Sequence, residues 1–158
     1  MKKVYSIFYF FLILAAIILI AIYFRTRAVD RNIQTVSIMG KEFKIELAKS
    51  SSEHEKGLMD RTHLDGDAGM LFVFKKTEIQ TFWMKNTLIP LDIIWIDDGK
   101  IVDIKTLQPA GQSPLGGAPS DNIPQYKSKA KANFVLEINA GLAEKYGFKV
   151  GDEVKFNY

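Results

Sequence analysis

From Val4 to Phe24 the chain reads VYSIFYFFLILAAIILIAIYF, a run without a single charge. As a helix rising about 1.5 Å per residue it would be about 31 Å long, the thickness of a bilayer's hydrocarbon core. A helix apolar on every side offers solvent no polar face, so the run predicts a transmembrane helix rather than a core helix. The competing reading is a cleavable signal peptide, whose apolar stretch spans about 7–15 residues before a small-x-small cleavage site. This run is longer, and Thr26-Arg27-Ala28 matches that site poorly, which favours a retained anchor over residues 1–24. Lys2 and Lys3 on one side nearly balance Arg25, Arg27 and Arg31 on the other, so the positive-inside bias decides little. The opening Met-Lys-Lys resembles an export signal, and on that ground the remainder is expected to be extracytoplasmic.

Residues 25–33 are short and polar, a linker. Residues 34–158 then have the length of one domain, since hydrophobic cores are usually built from about 100–200 residues. Setting Lys2 and Lys3 aside leaves 19 basic against 18 acidic residues, without the excess that nucleic-acid binding calls for. There is no cysteine, which removes disulfides, thiolate catalysis, thiolate zinc sites and a cysteine lipid anchor.

Within the domain the apolar period is mostly two. Val36 and Ile38, then Phe43, Ile45 and Leu47, alternate around Met39-Gly40 as a hairpin does. Ser52 and Glu55 have capping-box spacing for a helix that Gly57 keeps brief. Gly69 to Phe74 is a continuous apolar run of buried-strand length, and Ile79 to Met84 alternates less cleanly. Leu91–Ile96 and Ile101–Leu107 flank Asp98-Gly99, a strong hairpin signal. Gln108 to Lys131, with four prolines, reads as a long irregular and mobile segment. A strand over Asn133–Asn139, a short helix ending at Gly147 and a strand over Asp152–Phe156 complete the chain. The expected fold is mainly β, a compact sandwich or barrel with one or two short helices, preceded by the transmembrane helix.

Gly57-Leu58-Met59-x-Arg61, Gly69-Met70-Leu71-Phe72-x-Phe74, and Phe82-Trp83-Met84-Lys85-Asn86-Thr87 with Pro90-Leu91-Asp92 form an ordered set of motifs. With Tyr126-x-Ser128, Leu136-Glu137, Gly141 and Gly151-Asp152 they resemble the domain of unknown function 192 family (DUF192), from about Thr35 to the end. The resemblance implies a compact, mainly β domain that often follows an export signal, and assigns no activity. Many relatives carry cysteine in the long loop, where this chain has Ser113-Pro114 to Ser120.

Arg61, Asn86, Asp92 and Glu137 are polar residues set among apolar ones. A buried charge is costly unless paired, so Arg61 is expected to meet Asp92 or Glu137, as a structural ion pair or as part of a site for a small anionic ligand. Trp83, Lys85, Asn86 and Thr87 follow a buried stretch and suit the rim of a pocket, or an ordinary turn. Asp92 and Glu137 could alternatively serve a hydrolase as a carboxylate pair. No nucleophile, base and orienting group stand in a recognisable arrangement, so no catalytic residue is assigned. Met59, Met70 and Met84, with His54 and His63 nearby in sequence, raise a Cu(I)-binding alternative, outweighed by methionine's ordinary role in packing. The resulting expectation is a membrane-tethered binding or assembly module for a small anionic ligand or a protein partner, with no metal site or cofactor. Its candidate residues are Arg61, Trp83, Lys85, Asn86, Thr87, Asp92 and Glu137.

Overall fold

A computed structural model describes residues 14–18, 34–109 and 123–157. The chain divides into two compact units, Met1–Ile33 and Gln34–Tyr158. In the first, residues 14–18 are helical, and among the described residues no helix is long and apolar enough to cross a membrane. Most of the expected anchor lies outside the described residues.

The second unit is mainly β. Strands β1 (Thr35–Ile38) and β2 (Lys41–Ala48) form a hairpin whose turn residues Met39 and Gly40 have φ of 49° and 76°. Both positive values match the right-handed twist of the strands they join. Helix α1 (Ser51–Lys56) follows, capped by Ser50: its Oγ accepts from Glu53 N at 3.3 Å, and the Glu53 carboxylate accepts from Ser50 N at 2.8 Å. The capping box therefore starts two residues before the expected Ser52–Glu55 pair. Both pairs have the same spacing, and tertiary contact decides between them. In the helix that starts there, the His54 ring lies 4.5 Å from that of Phe74.

The remaining elements are β3 (Ala68–Glu78), β4 (Thr81–Trp83), β5 (Leu91–Asp97), β6 (Lys100–Leu107), β7 (Gln125–Lys127), β8 (Ala132–Asn139), α2 (Leu142–Tyr146) and β9 (Val154–Asn157). Seven strands make one sheet in the order β6-β5-β8-β3-β2-β1-β9, while β4 and β7 pair separately. Its pairs are antiparallel except β2 with β3, which run parallel because α1 and the chain after it carry the crossover. The sheet curls until its outer strands meet at one end. Ile101 N donates to Asp152 O at 3.0 Å, and Val154 N donates to Gly99 O at 2.8 Å.

Alternation along the strands sends side chains to two separate cores. Every strand of the curled sheet contributes to the inner one, including Val36, Phe43, Leu71, Ile94, Ile101, Leu136 and Val154. The outer face of the central strands, with Met70, Phe72, Leu91, Ile93, Trp95 and Val135, is covered by Leu58, Leu64, Phe82, Met84 and Ile89. A strand apolar on both faces explains why Gly69–Phe74 reads as a continuous apolar run.

From residue 123 on, the segment from Gln108 to Lys131 is more structured than expected. Its end forms β7, and buried Ser128 is pinned by Gln80, whose N–H donates to Ser128 Oγ at 3.2 Å and whose carbonyl accepts from Ser128 N at 3.0 Å. Buried Asp103 accepts from Lys129 N at 3.0 Å. The expectation of mobility for residues 110–122 lies outside the described residues.

Candidate functional site

Glu137 lies on β8, in register with Met70 of β3 on one side and Ile93 of β5 on the other. Strand parity turns it onto the outer face with Val135, into an apolar layer, and it is only 5% exposed. Among the described residues no hydrogen bond or ion pair reaches its carboxyl group. Burial alone pushes the carboxyl up to about 8, because a charge in apolar surroundings loses its hydration and gains nothing back. At neutral pH the group is a protonated acid.

What covers Glu137 is not solid. A cavity of about 90 Å³ reaches it, lined on one side by α1 and Gly57, on another by Phe72 and Phe74, and on a third by Phe82, Trp83 and Thr87. Gly57 ends α1 with φ of 45°, a conformation that favours glycine, and a side chain there would fill the site. Its Cβ would stand 3.2 Å from Phe72 and 3.9 Å from Glu137 Oε2. The walls are ring faces and edges: His54 lies 4.5 Å from Phe74, and Phe72 meets Phe82 edge-on at 5.0 Å between centroids. His54 Nε2 donates to Ala48 O at 3.0 Å, which holds the imidazole in the wall. Outward, the cavity adjoins a wider cleft of about 520 Å³ that shares His54, Thr81, Phe82 and Trp83 and is bounded by Gln125 and Lys127 of β7.

Of the expected site residues, Trp83, Thr87 and Glu137 line this cavity, and Arg61, Lys85, Asn86 and Asp92 do not. Arg61 meets neither expected carboxylate. It donates to both oxygens of Glu46 on β2, at 2.5 and 2.6 Å, and this contact holds the Glu46 carboxyl below its ordinary value. Asp92 sits on the opposite face of the sheet from Glu137, with the inner core, so the two do not form a hydrolase pair. Its carboxylate accepts from Thr106 Oγ1 at 2.6 Å and from Ala143 N at 2.8 Å. It thus caps α2, whose own N-cap is Gly141 and has no side chain to do so.

Asn86 is a turn residue with φ of 51°, and its carbonyl accepts from Asp60 N at 2.8 Å. Lys85 lies over Trp83, its Nζ 5.4 Å from the ring centroid. Met70 and Met84 are buried in the outer core, while Met59 lines the cavity. Among the described residues no group of three His, Asp or Glu side chains is placed to hold a metal ion. Sequence reasoning missed Gly57, His54, Phe72, Phe74 and Phe82 as site residues. One signal was available, because the Phe72-x-Phe74 spacing sets two rings on one strand face.

The model of the DUF192 family, described as uncharacterized ACR, matches residues 34–156. Two crystal structures are similar. A protein of unknown function from Novosphingobium aromaticivorans DSM 12444 is 36% identical with a TM-score of 0.62, covering 78% of this chain and 83% of that one. A protein from Sinorhizobium meliloti 1021, provisionally named a transcription regulator, is 30% identical with a TM-score of 0.63, covering 78% of this chain and 91% of that one. No curated protein matches.

Proposed function

The chain belongs to the DUF192 family, a name that carries no activity, and we propose that its domain is a small-ligand binding module, tethered to a membrane and facing the extracytoplasmic side. One observation carries the binding part of this reading: a buried carboxyl, without a partner among the described residues, at the floor of a cavity walled by aromatic rings. Leaving such a group without a partner costs folding free energy, and native proteins keep few of them. A pocket of apolar walls with one convergent polar group is also the ordinary form of a ligand site. The tether rests on the length and apolar character of residues 4–24.

A regulator that reads nucleic acid finds no such support. Residues 34–158 carry 16 basic and 17 acidic side chains, whereas binding phosphates calls for a clustered basic excess.

The test uses the full chain in a nonionic detergent and a library of small amines, acids, sugars and alcohols. Trp83 is 36% exposed at the cavity while Trp95 is fully buried, so occupancy is expected to change the emission of Trp83. Trp83→Ala should weaken binding at least tenfold and leave the melting temperature nearly unchanged. A library without a single binder, or binders that keep full affinity in Trp83→Ala, would overturn the reading.

A further inference from the structure

We infer that the cavity accepts the tip of an alkylammonium group, which enters through the cleft beside β7 and ends against the Glu137 carboxylate. The inference rests on the binding reading above and adds the class of ligand. Glu137 Oε2 faces the space that Gly57 leaves open, so an entering group would meet the carboxyl end-on. An ammonium brings three donors to an oxygen pair that has none among the described residues. It also brings the charge that a desolvated carboxylate needs, and the rings of Phe72, Phe74 and Phe82 favour a cation over an anion of equal size. An anionic ligand would instead have to lie against Glu137, with the nearest fixed basic groups out on the rim.

The charged and titratable groups around the carboxyl are few. From α1 come His54, Glu55 and Lys56; from β7, at the outer cleft, Lys127; after β4, Lys85, held over Trp83. On that side the described residues of strands β3 and β5 in the outer core are apolar, among them Met70, Phe72, Phe74, Ile93 and Trp95. Glu55 offsets one of these three lysines, so the entrance keeps a basic excess and the attraction for a cation has to come from Glu137 and the rings. Below pH 8 that carboxyl holds its proton. Binding then converts a neutral acid and an ammonium into a carboxylate–ammonium pair and releases one proton to solvent.

The probes are n-butylamine, its isosteres n-butanol and butyrate, and the peptide Gly-Gly-Lys-Gly-Gly with both ends blocked. Calorimetry with the full chain in two buffers of different ionisation enthalpy counts the protons. The expected result is butylamine binding with about one proton released per amine at pH 6.5, and affinity rising about tenfold per pH unit up to pH 8. Glu137→Gln, which keeps the shape of the neutral acid, should lose at least tenfold in affinity and all of the proton release. Tighter binding of the peptide than of butylamine would identify the source as a lysine side chain, and the converse a free amine; both support the ammonium assignment. If butanol or butyrate binds as tightly as butylamine, or no proton is released, the ammonium assignment fails while the pocket stands. If none of these probes and no member of the wider library changes Trp83 emission, both readings fall together.

Discussion

A carboxyl placed between Met70 and Ile93 changes how the whole fold responds to pH. In the unfolded chain Glu137 ionises near 4.5, whereas in the fold it holds its proton to about 8. Between those values the native state binds more protons than the unfolded state, so stability falls as pH rises through the window. The full loss is on the order of 5 kcal/mol, at about 1.36 kcal/mol per pKa unit. Glu46, Glu53 and Asp67 act in the opposite sense, with carboxyls held below their ordinary values, and their contribution disappears as pH falls below 4.5. Glu137→Gln is therefore expected to melt close to the parent at pH 5 and well above it at pH 8.5. Scanning calorimetry at several pH values checks this; parallel curves for the two proteins would place the titrating group elsewhere. Gly69 sets a different limit, because a Cβ there would stand 2.6 Å from the Glu137 carbonyl on the neighbouring strand. Gly69→Ala should cost more than about 2 kcal/mol in urea unfolding, since backbone must shift to admit it. Glu137 was legible in the sequence as a polar residue in an apolar strand. Its lack of a partner among the described residues was not, because on paper Arg61 could pair with Asp92 or Glu137, whereas in the fold it meets Glu46.

At the scale of elements, most strands follow from alternation and turn chemistry. Asp98-Gly99 forms the expected β5–β6 hairpin, with φ of 47° and 68°. Strand β7 was hidden because three residues among prolines carry no measurable period, and its pairing with β4 is a long-range choice. Helix α2 shows a dependence that sequence order conceals. Five residues after a glycine make a poor helix start, yet Asp92 from β5 supplies the missing cap across the core. Asp92→Ala is expected to cost roughly 3–5 kcal/mol, since it strips the buried Ala143 N–H and Thr106 hydroxyl of a charged acceptor. Asp92→Asn, which keeps an acceptor oxygen, should cost less. Ligand affinity should be unchanged in Asp92→Asn, because Asp92 faces away from the cavity. Arg61→Ala makes the contrast: a pair this exposed is worth about 1 kcal/mol or less, a small shift in a urea midpoint. A loss as large as that of Asp92→Ala would show that the Arg61–Glu46 contact braces the crossover after α1.

For the whole molecule, the curled sheet and its two cores account for the described residues of the second unit, and the case for residues 4–24 rests on their sequence alone. The inner core is closed by strands from both ends of the domain, and the outer one by the crossover and by β4. A run of that length in water would expose an apolar surface far larger than soluble monomers tolerate, so it must find a bilayer, be removed, or drive aggregation. Removal requires a cleavage site, and Thr26-Arg27-Ala28 places an arginine where the small-x-small pattern is followed only in its outer positions. The expected outcome is a chain that stays in the membrane pellet through a carbonate wash, with residues 1–24 present by mass spectrometry. External protease added to intact spheroplasts should degrade residues 34–158 while sparing the anchor, as an extracytoplasmic domain requires. A mature chain that begins near Val29 and partitions into the soluble fraction would remove the tether. Protection from external protease in a chain that remains membrane-bound would instead reverse the orientation, and the ligand of Glu137 would then have to be sought in the cytoplasm.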